Sequence, residues 1–159
     1  MRYRIIILAT MKTIEVDVEI AASPARVWEI LTDFQHYPEW NPAMLQVQGS
    51  PTLNTLVEVQ FKTISKMITV SAMIIAVEVE RELRWRGPAS GLFRLLLRGE
   101  HYWRLVPLGS KGTKLFQGER FSGPLVPLFS RLLDLNGDVL PAYGAFNTAL
   151  KQRAEQHPA

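Results

Sequence analysis

From Thr13 to Ile20 the chain alternates without interruption, with Ile14, Val16, Val18 and Ile20 on one side and Glu15, Asp17 and Glu19 on the other. A period of two over that length predicts a half-buried antiparallel strand. The period then changes. Ser23 offers a capping oxygen, Pro24 stands where a missing N–H costs nothing, and Val27, Ile30, Leu31 and Phe34 recur at helical spacing. This predicts a first helix from about Pro24 to Phe34. Its end is abrupt, because Tyr37 precedes Pro38 and Asn41 precedes Pro42. A residue before proline is pushed out of the helical region, so only about one helical turn fits between the two prolines. The expectation is a helix, a kink and a turn that carries Tyr37 and Trp40 around one end of the structure.

Alternating stretches follow at "LQVQ", "LVEVQFKT", "ITVSAMIIAVEVE", "ELRWRG", "EHYWRLVPL" and "TKLFQGERF", separated by turn-rich pieces such as "GSPTLN", "TISK" and "PLGSKG". Connectors this short join antiparallel hairpins rather than crossover helices, so the stretches predict a meander. From Pro124 the period lengthens to that of a helix, with Phe129, Leu132 and Leu133, then Leu140, Tyr143, Phe146 and Leu150, on a repeating face. Asn136 and Gly137 interrupt this pattern, and Pro141 is expected to bend it. A long C-terminal helix entered through a shorter helical segment is the result.

Strand, two short helices, meander and long final helix is an order similar to that of the helix-grip fold of the START-like (SRPBCC) superfamily. The local strings agree. "ASPARVWEILTDFQHYPEWNP" resembles the opening of the polyketide cyclase/dehydrase and lipid-transport branch, and "GERFSGPL" and "AFNTALKQRAE" resemble its last strand and last helix. The resemblance implies an α+β fold, in which a curved antiparallel sheet of about seven strands wraps around the C-terminal helix and two short helices follow the first strand. It covers about Thr13 to Glu155, so residues 13–156 are read as a single ligand-binding domain after an N-terminal extension of residues 1–12. It further implies an apolar cavity between sheet and helix. Members of the superfamily carry lipids, hormones, pigments or polyketides, and some catalyse cyclisation or dehydration; the fold by itself does not choose among these.

Composition narrows the picture. A chain of 159 residues suffices for one domain with a real core, and 47% apolar with 21% charged residues is ordinary globular usage, which excludes disorder and fibrous repeats. Cysteine is absent, which removes disulfides, thiolate nucleophiles, iron–sulfur clusters and thiolate zinc sites together; a cytoplasmic setting fits. The apolar run Ile5 to Ala9 is too short for a signal-peptide core or a membrane span, and it reads as part of the extension, with Met11 as an alternative start. Within a net charge of +3, Arg81, Arg84, Arg86, Arg94, Arg98 and Arg104 bunch together. Such a cluster can attract phosphates or anionic lipid, but arginines alternating with Leu83, Trp85 and Trp103 also read as the solvent face of strands. No nucleic-acid partner is expected, and the oligomeric state is left open.

Motifs for familiar chemistry are missing: there is no P-loop, dinucleotide-type glycine string, G-x-S-x-G elbow or H-E-x-x-H pair. His36, His101 and His157 fall in a kink, a strand and a tail, so neither a metal nor a cofactor is expected. One constellation remains. If "PLGSKG" turns the last hairpin, pairing Leu105 with Leu115 sets Trp103 opposite Gln117 and His101 opposite Glu119, with opposed Cβ atoms about 5 Å apart. A His–Glu pair on an otherwise apolar face can orient the ring for proton transfer, or it can satisfy itself and orient a ligand. Phe61, Met73, Trp85, Trp103, Tyr143 and Phe146 are assigned to inward faces, as pocket lining or as core. The connector "SGLFRLLLRG", residues 90–99, sets Leu92, Phe93, Leu95, Leu96 and Leu97 beside Arg94 and Arg98. That composition suits a lid, a packing segment or transient contact with a membrane surface.

The leading expectation is a binder or carrier of a hydrophobic small molecule, lipid-like or polyketide-like, with His101, Gln117 and Glu119 as its polar anchors. One alternative is a polyketide cyclase/aromatase or dehydratase that uses His101 as general acid or base with Glu119 as orienting partner. The other is a module that docks on membrane or protein through the arginines and the Leu-rich loop.

Overall fold

The period-two stretches become strands of one antiparallel sheet in the computed structural model, which describes residues 1–8, 10–109, 111–132 and 134–156. Ala9, Leu133 and His157, together with the side chains of Phe93 and Leu132, lie outside the described residues. The strands are β1 (Arg2–Leu8), β2 (Met11–Ile20), β3 (Met44–Gln48), β4 (Leu56–Lys62), β5 (Met67–Glu78), β6 (Glu82–Gly87), β7 (Arg98–Leu108) and β8 (Gly112–Ser122). Their order is β1-β2-β8-β7-β6-β5-β4-β3, a meander from β3 to β8 whose last strand pairs with β2. The α+β helix-grip arrangement expected from the chain is present.

The strand count differs. Arg2–Leu8, expected to precede the fold, pairs along β2 from Arg2 opposite Asp17 to Leu8 opposite Met11, so the sheet has eight strands rather than about seven. Met11 and Lys12, also assigned to the extension, begin β2. The physical reason lies in "RYRIIIL", whose β-branched run has strand propensity and covers a sheet edge that would otherwise present bare backbone.

Pro24–Thr32 forms α1, capped by Ser23, whose hydroxyl accepts from the Arg26 amide at 3.3 Å. Val27, Ile30 and Leu31 face the core. The helix stops at Thr32, two residues earlier than its apolar spacing suggests, because Asp33 leaves helical geometry; Phe34–His36 continues as a 3-10 turn. Tyr37–Trp40 forms a single turn, α2, with Pro38 at its start. The Tyr37 hydroxyl donates to the Leu31 carbonyl at 2.6 Å, and its ring meets Phe34, Trp40 and Phe146 edge-on, which closes that end of the core. Asn41 Oδ1 accepts from the Ala43 and Met44 amides at 3.0 and 2.9 Å and turns the chain into β3.

At the other end of the chain, Val126–Leu132 forms α3, Leu135–Val139 a π-helical turn and Leu140–Glu155 the long helix α4. The interruption falls at Asn136 and Gly137, where the Asp134 carboxylate accepts from the Gly137 amide at 2.8 Å. Pro141 does not bend α4, since it lies in the first turn, where no helical bond is lost. Leu140, Tyr143, Phe146 and Leu150 are all buried, as their spacing predicts, and α4 packs across β2 and against α1. Among the described residues no helix is long and apolar enough to cross a membrane.

Candidate functional site

The last hairpin has the register that sets Leu105 opposite Leu115, Trp103 opposite Gln117 and His101 opposite Glu119. Carried across neighbouring strands, the same register arranges the inner face in rungs. One rung holds Leu83, Trp103, Gln117 and Val16, and the next holds Trp85, His101, Glu119 and Ile14. In the third, Gly87 lies opposite Gly99 and Gly99 opposite Phe121. Two glycines side by side leave that part of the inner face without side chains. A chamber of about 340 Å³ fills the space, within the range of small-molecule sites.

Phe61, Trp85, His101, Glu119 and Tyr143 line the chamber, as their inward assignment predicts. Trp103, Gln117 and Phe146 do not reach it. Trp103 is fully buried, with its ring 4.3 Å from His101, 4.6 Å from Trp85 and 5.8 Å from Phe146, so it fills the neighbouring rung as core. Met73 lies on the opposite face of β5: it pairs with Leu56 and Arg86, while Ala72 and Ile74 on either side are completely buried. Apolar residues occupy both faces of β5 and a bulge follows Ile74, so alternation alone does not set the phase of that strand. Sequence reasoning missed Val70, Ala72, Gly99, Phe129 and Val139 as lining residues. The glycines were legible only through the register of three strands taken together.

The polar corner of the chamber is a directed chain of hydrogen bonds. Gln117 Nε2 stands 3.1 Å from His101 Nε2, and an amide nitrogen only donates, so that ring nitrogen accepts. The ring proton then resides on Nδ1, which donates to the Tyr143 hydroxyl at 3.1 Å. Tyr143 in turn donates to Glu119 Oε2, which lies 3.7 Å from His101 Nδ1. Burial pushes the Tyr143 phenol well above its ordinary range and the Glu119 carboxylate adds to the effect, which keeps the hydroxyl protonated as a donor. Both His101 nitrogens are therefore occupied, and the ring, 4% exposed, stacks against Trp85. Glu119 Oε1 makes no hydrogen bond among the described residues. It lies over Gly99, where a Cβ would collide with it. Glu119 Oε1 thus borders the chamber without a hydrogen-bond partner among the described residues, whereas His101 is engaged on both ring nitrogens.

Two further segments frame the chamber. In the Leu-rich connector, Leu92–Leu95 forms a 3-10 turn with Leu92 and Leu95 exposed, whereas Leu97 is buried and forms part of the wall. The Leu96 carbonyl accepts from the Leu125 amide at 3.1 Å, which ties the connector to the start of α3. The β4–β5 hairpin is fastened by Asp138 of the π-helical turn, which accepts from the Ser65 amide at 2.7 Å and from the Ser65 and Thr63 hydroxyls at 2.9 Å. Burial opposes the charge on Asp138, but these donors outweigh it and hold the carboxyl below its ordinary value. On the outer face, Arg84, Arg86 and Arg104 of the arginine cluster pair with Glu82, Glu100 and Glu15. Among the described residues no three His, Asp or Glu side chains are placed to hold a metal ion.

Comparison with known proteins agrees with this architecture. The family described as polyketide cyclase/dehydrase and lipid transport matches residues 11–155. No curated protein matches the sequence. Among solved structures, the Zhui aromatase/cyclase from a Streptomyces species superposes with a TM-score of 0.72 at 18% identity, covering 92% of this chain and 94% of that one. Norcoclaurine synthase from Thalictrum flavum, in complex with dopamine and hydroxybenzaldehyde, gives 0.69 at 18% identity, covering 95% and 91%. A START superfamily protein from Mycobacterium smegmatis gives 0.67 at 20% identity, covering 91% and 97%. At these identities the likeness is one of fold.

Proposed function

Because the chain belongs to the polyketide cyclase/dehydrase and lipid transport family, we propose that it binds and carries a largely apolar small molecule, lipid-like or polyketide-like, in the chamber between sheet and α4. The observation that carries this reading is the chamber's asymmetry: apolar walls on nearly all sides and one polar corner, where Glu119 Oε1 has no donor among the described residues. A carboxylate oxygen facing an apolar space is costly unless a donor meets it. A ligand with an apolar body and one hydroxyl, enol or amine end satisfies both parts. Phe61, Trp85 and Phe121 supply ring faces to the body, and the corner orients the donor end.

A second reading, cyclisation or dehydration inside the chamber, is favoured by one feature. The chain from Gln117 through His101 and Tyr143 ends on the chamber-facing carboxylate, which is an arrangement suited to receiving a proton from a bound molecule. In that reading Glu119 is the base, and His101 and Tyr143 are positioning residues.

The carrier reading is tested by filling the chamber. Ala72 is completely buried and borders the open space, so Ala72→Trp places an indole inside with little overpacking. Native mass spectrometry of the purified wild-type protein should show a retained apolar mass. The neutral dye N-phenylnaphthylamine should bind the emptied wild type with enhanced fluorescence, and Ala72→Trp should lose that binding by about tenfold or more while keeping the wild-type circular dichroism spectrum. Equal dye affinity in the two proteins would remove the chamber as the binding site.

A further inference from the structure

The outer face of the sheet carries a second cleft, of about 220 Å³, that crosses β1, β2, β8, β7 and β6 on the side away from the chamber. Tyr102, one of its lining residues, lies against Gly118 of β8, where a Cβ would overlap the Tyr102 hydroxyl. The missing side chain lets Tyr102 lie across β8 and donate to Glu15 on β2 at 2.7 Å.

The charges in this cleft do not balance. Glu15 is matched by Tyr102 and by Arg104 at 3.9 Å, and Arg84 engages Glu82 at 2.6 Å and Glu100 at 3.5 Å. Arg86 takes the other oxygen of Glu100 at 2.8 Å. The acids are thus committed. Arg4, Arg120 and the Thr13 hydroxyl remain, and none of the three makes a side-chain hydrogen bond or ion pair among the described residues. Thr13 lies directly opposite Arg120 on β8, and Arg4 on β1 lies opposite Glu15, the next outward residue along β2. Ile6 is the β1 residue opposite Thr13, so Arg4 stands one outward position further along β1, and the three polar side chains line one cleft across three adjacent strands.

Arg4 faces Glu15 and Arg120 faces Glu100 across the strands, but those carboxylates are engaged by Tyr102, Arg104, Arg84 and Arg86. The cleft keeps more guanidinium than carboxylate, and a guanidinium is a planar fork suited to a tetrahedral oxyanion. We propose that Arg4, Thr13 and Arg120 form a seat for a phosphate group on the outer face of the sheet. The group is carried either by a soluble phosphate ester or by a lipid headgroup, since both present the same oxyanion.

The test is an amide NMR titration of the full chain with inorganic phosphate, with ionic strength held constant by chloride. The expected result is saturable shifts around Thr13 and Arg120 that weaken about tenfold in Arg4→Gln and in Arg120→Gln, and about threefold in Thr13→Val. Arg81→Gln, at an exposed arginine outside the cleft, should leave the affinity unchanged. Resonances remote from the cleft report that each variant is folded. Shifts that grow linearly without saturation, or an equal loss in Arg81→Gln, would overturn the proposal in favour of diffuse charge attraction. Flotation on phosphatidylcholine vesicles with and without phosphatidic acid separates the sources. Attachment that needs phosphatidic acid and is lost in Arg120→Gln assigns the seat to a lipid headgroup, and phosphate affinity without attachment assigns it to a soluble ester.

Discussion

At one end of the space between the sheet and α4, Trp103 meets Trp85, His101 and Phe146, and Tyr37 packs against Phe34 and Phe146, ring against ring. Two rungs along the same strands, Gly87 and Gly99 face a chamber of about 340 Å³. Both ends share one backbone, one helix and one register. They differ in the side-chain volume that β6, β7 and β8 place on a single rung: Leu83, Trp103 and Gln117 in the first case, Gly87, Gly99 and Phe121 in the second. Protein interiors close-pack when the side chains suffice, so a core becomes a container where neighbouring strands withhold volume at the same level. The His101–Tyr143–Glu119 corner lies at the boundary, half core and half wall.

The largest effect should separate the two ends. Trp103→Ala removes a fully buried indole from the closed end and should destabilise the protein by about 3–5 kcal/mol in urea unfolding. Phe61→Ala trims a half-buried ring that already borders open space, and it should cost about half as much while weakening N-phenylnaphthylamine binding. Equal destabilisation by the two changes would mean that the chamber end is packed as core. The comparison would then fail.

A smaller effect concerns the boundary. Gln117→Leu removes the N–H that meets His101 Nε2 and leaves a buried ring nitrogen unmatched, at a cost of about 1–3 kcal/mol. Ring ¹⁵N spectra of the wild type should show the proton on Nδ1, and the variant should lose that preference. Unchanged stability with an unchanged tautomer would show that Gln117 does not hold the corner.

The smallest effect concerns the Asp138 fastening of the β4–β5 hairpin. Its carboxyl is held below the ordinary value, so the folded state favours the charged form. That contribution is fully present above the ordinary carboxylate range, near about pH 4, and is lost as pH falls through the lower folded value. Asp138→Asn should therefore speed amide exchange at Ser65 at neutral pH and flatten the acid limb of the stability curve. An acid limb identical to that of the wild type would show that Asp138 does not fasten the hairpin.

Much of the fold was legible because its signals are local. Alternation at Ile14 to Ile20, the Ser23 cap with Pro24, the two prolines after α1 and the helical spacing from Leu140 to Leu150 each depend on a few neighbouring residues. Arg2–Leu8 was misread because pairing on a sheet edge depends on whether the edge is vacant, which "RYRIIIL" does not reveal. The site was half legible. A hairpin turn sets its own register, so His101 opposite Glu119 followed from the residues around "PLGSKG". Met73 failed because β5 is apolar on both faces and bulged, so its phase comes only from the pairing of Leu56 with Met73.

The amino-acid sequence by itself determined the main elements from β2 onward, their order and the facing of the His101–Glu119 pair, through periodicity, caps and one hairpin register, and its resemblance to the START-like superfamily implied the helix-grip class. Only the tertiary structure decided which inward aromatics became core and which became wall. It also decided that Gly87 and Gly99 share a rung, that Tyr143 of α4 completes the corner, and that Arg4 joins Thr13 and Arg120 on the far face. The reason is distance along the chain. Whether a space is filled depends on summed side-chain volume from segments up to a hundred residues apart, and that sum exists only once the strands are in register and the helix lies across them.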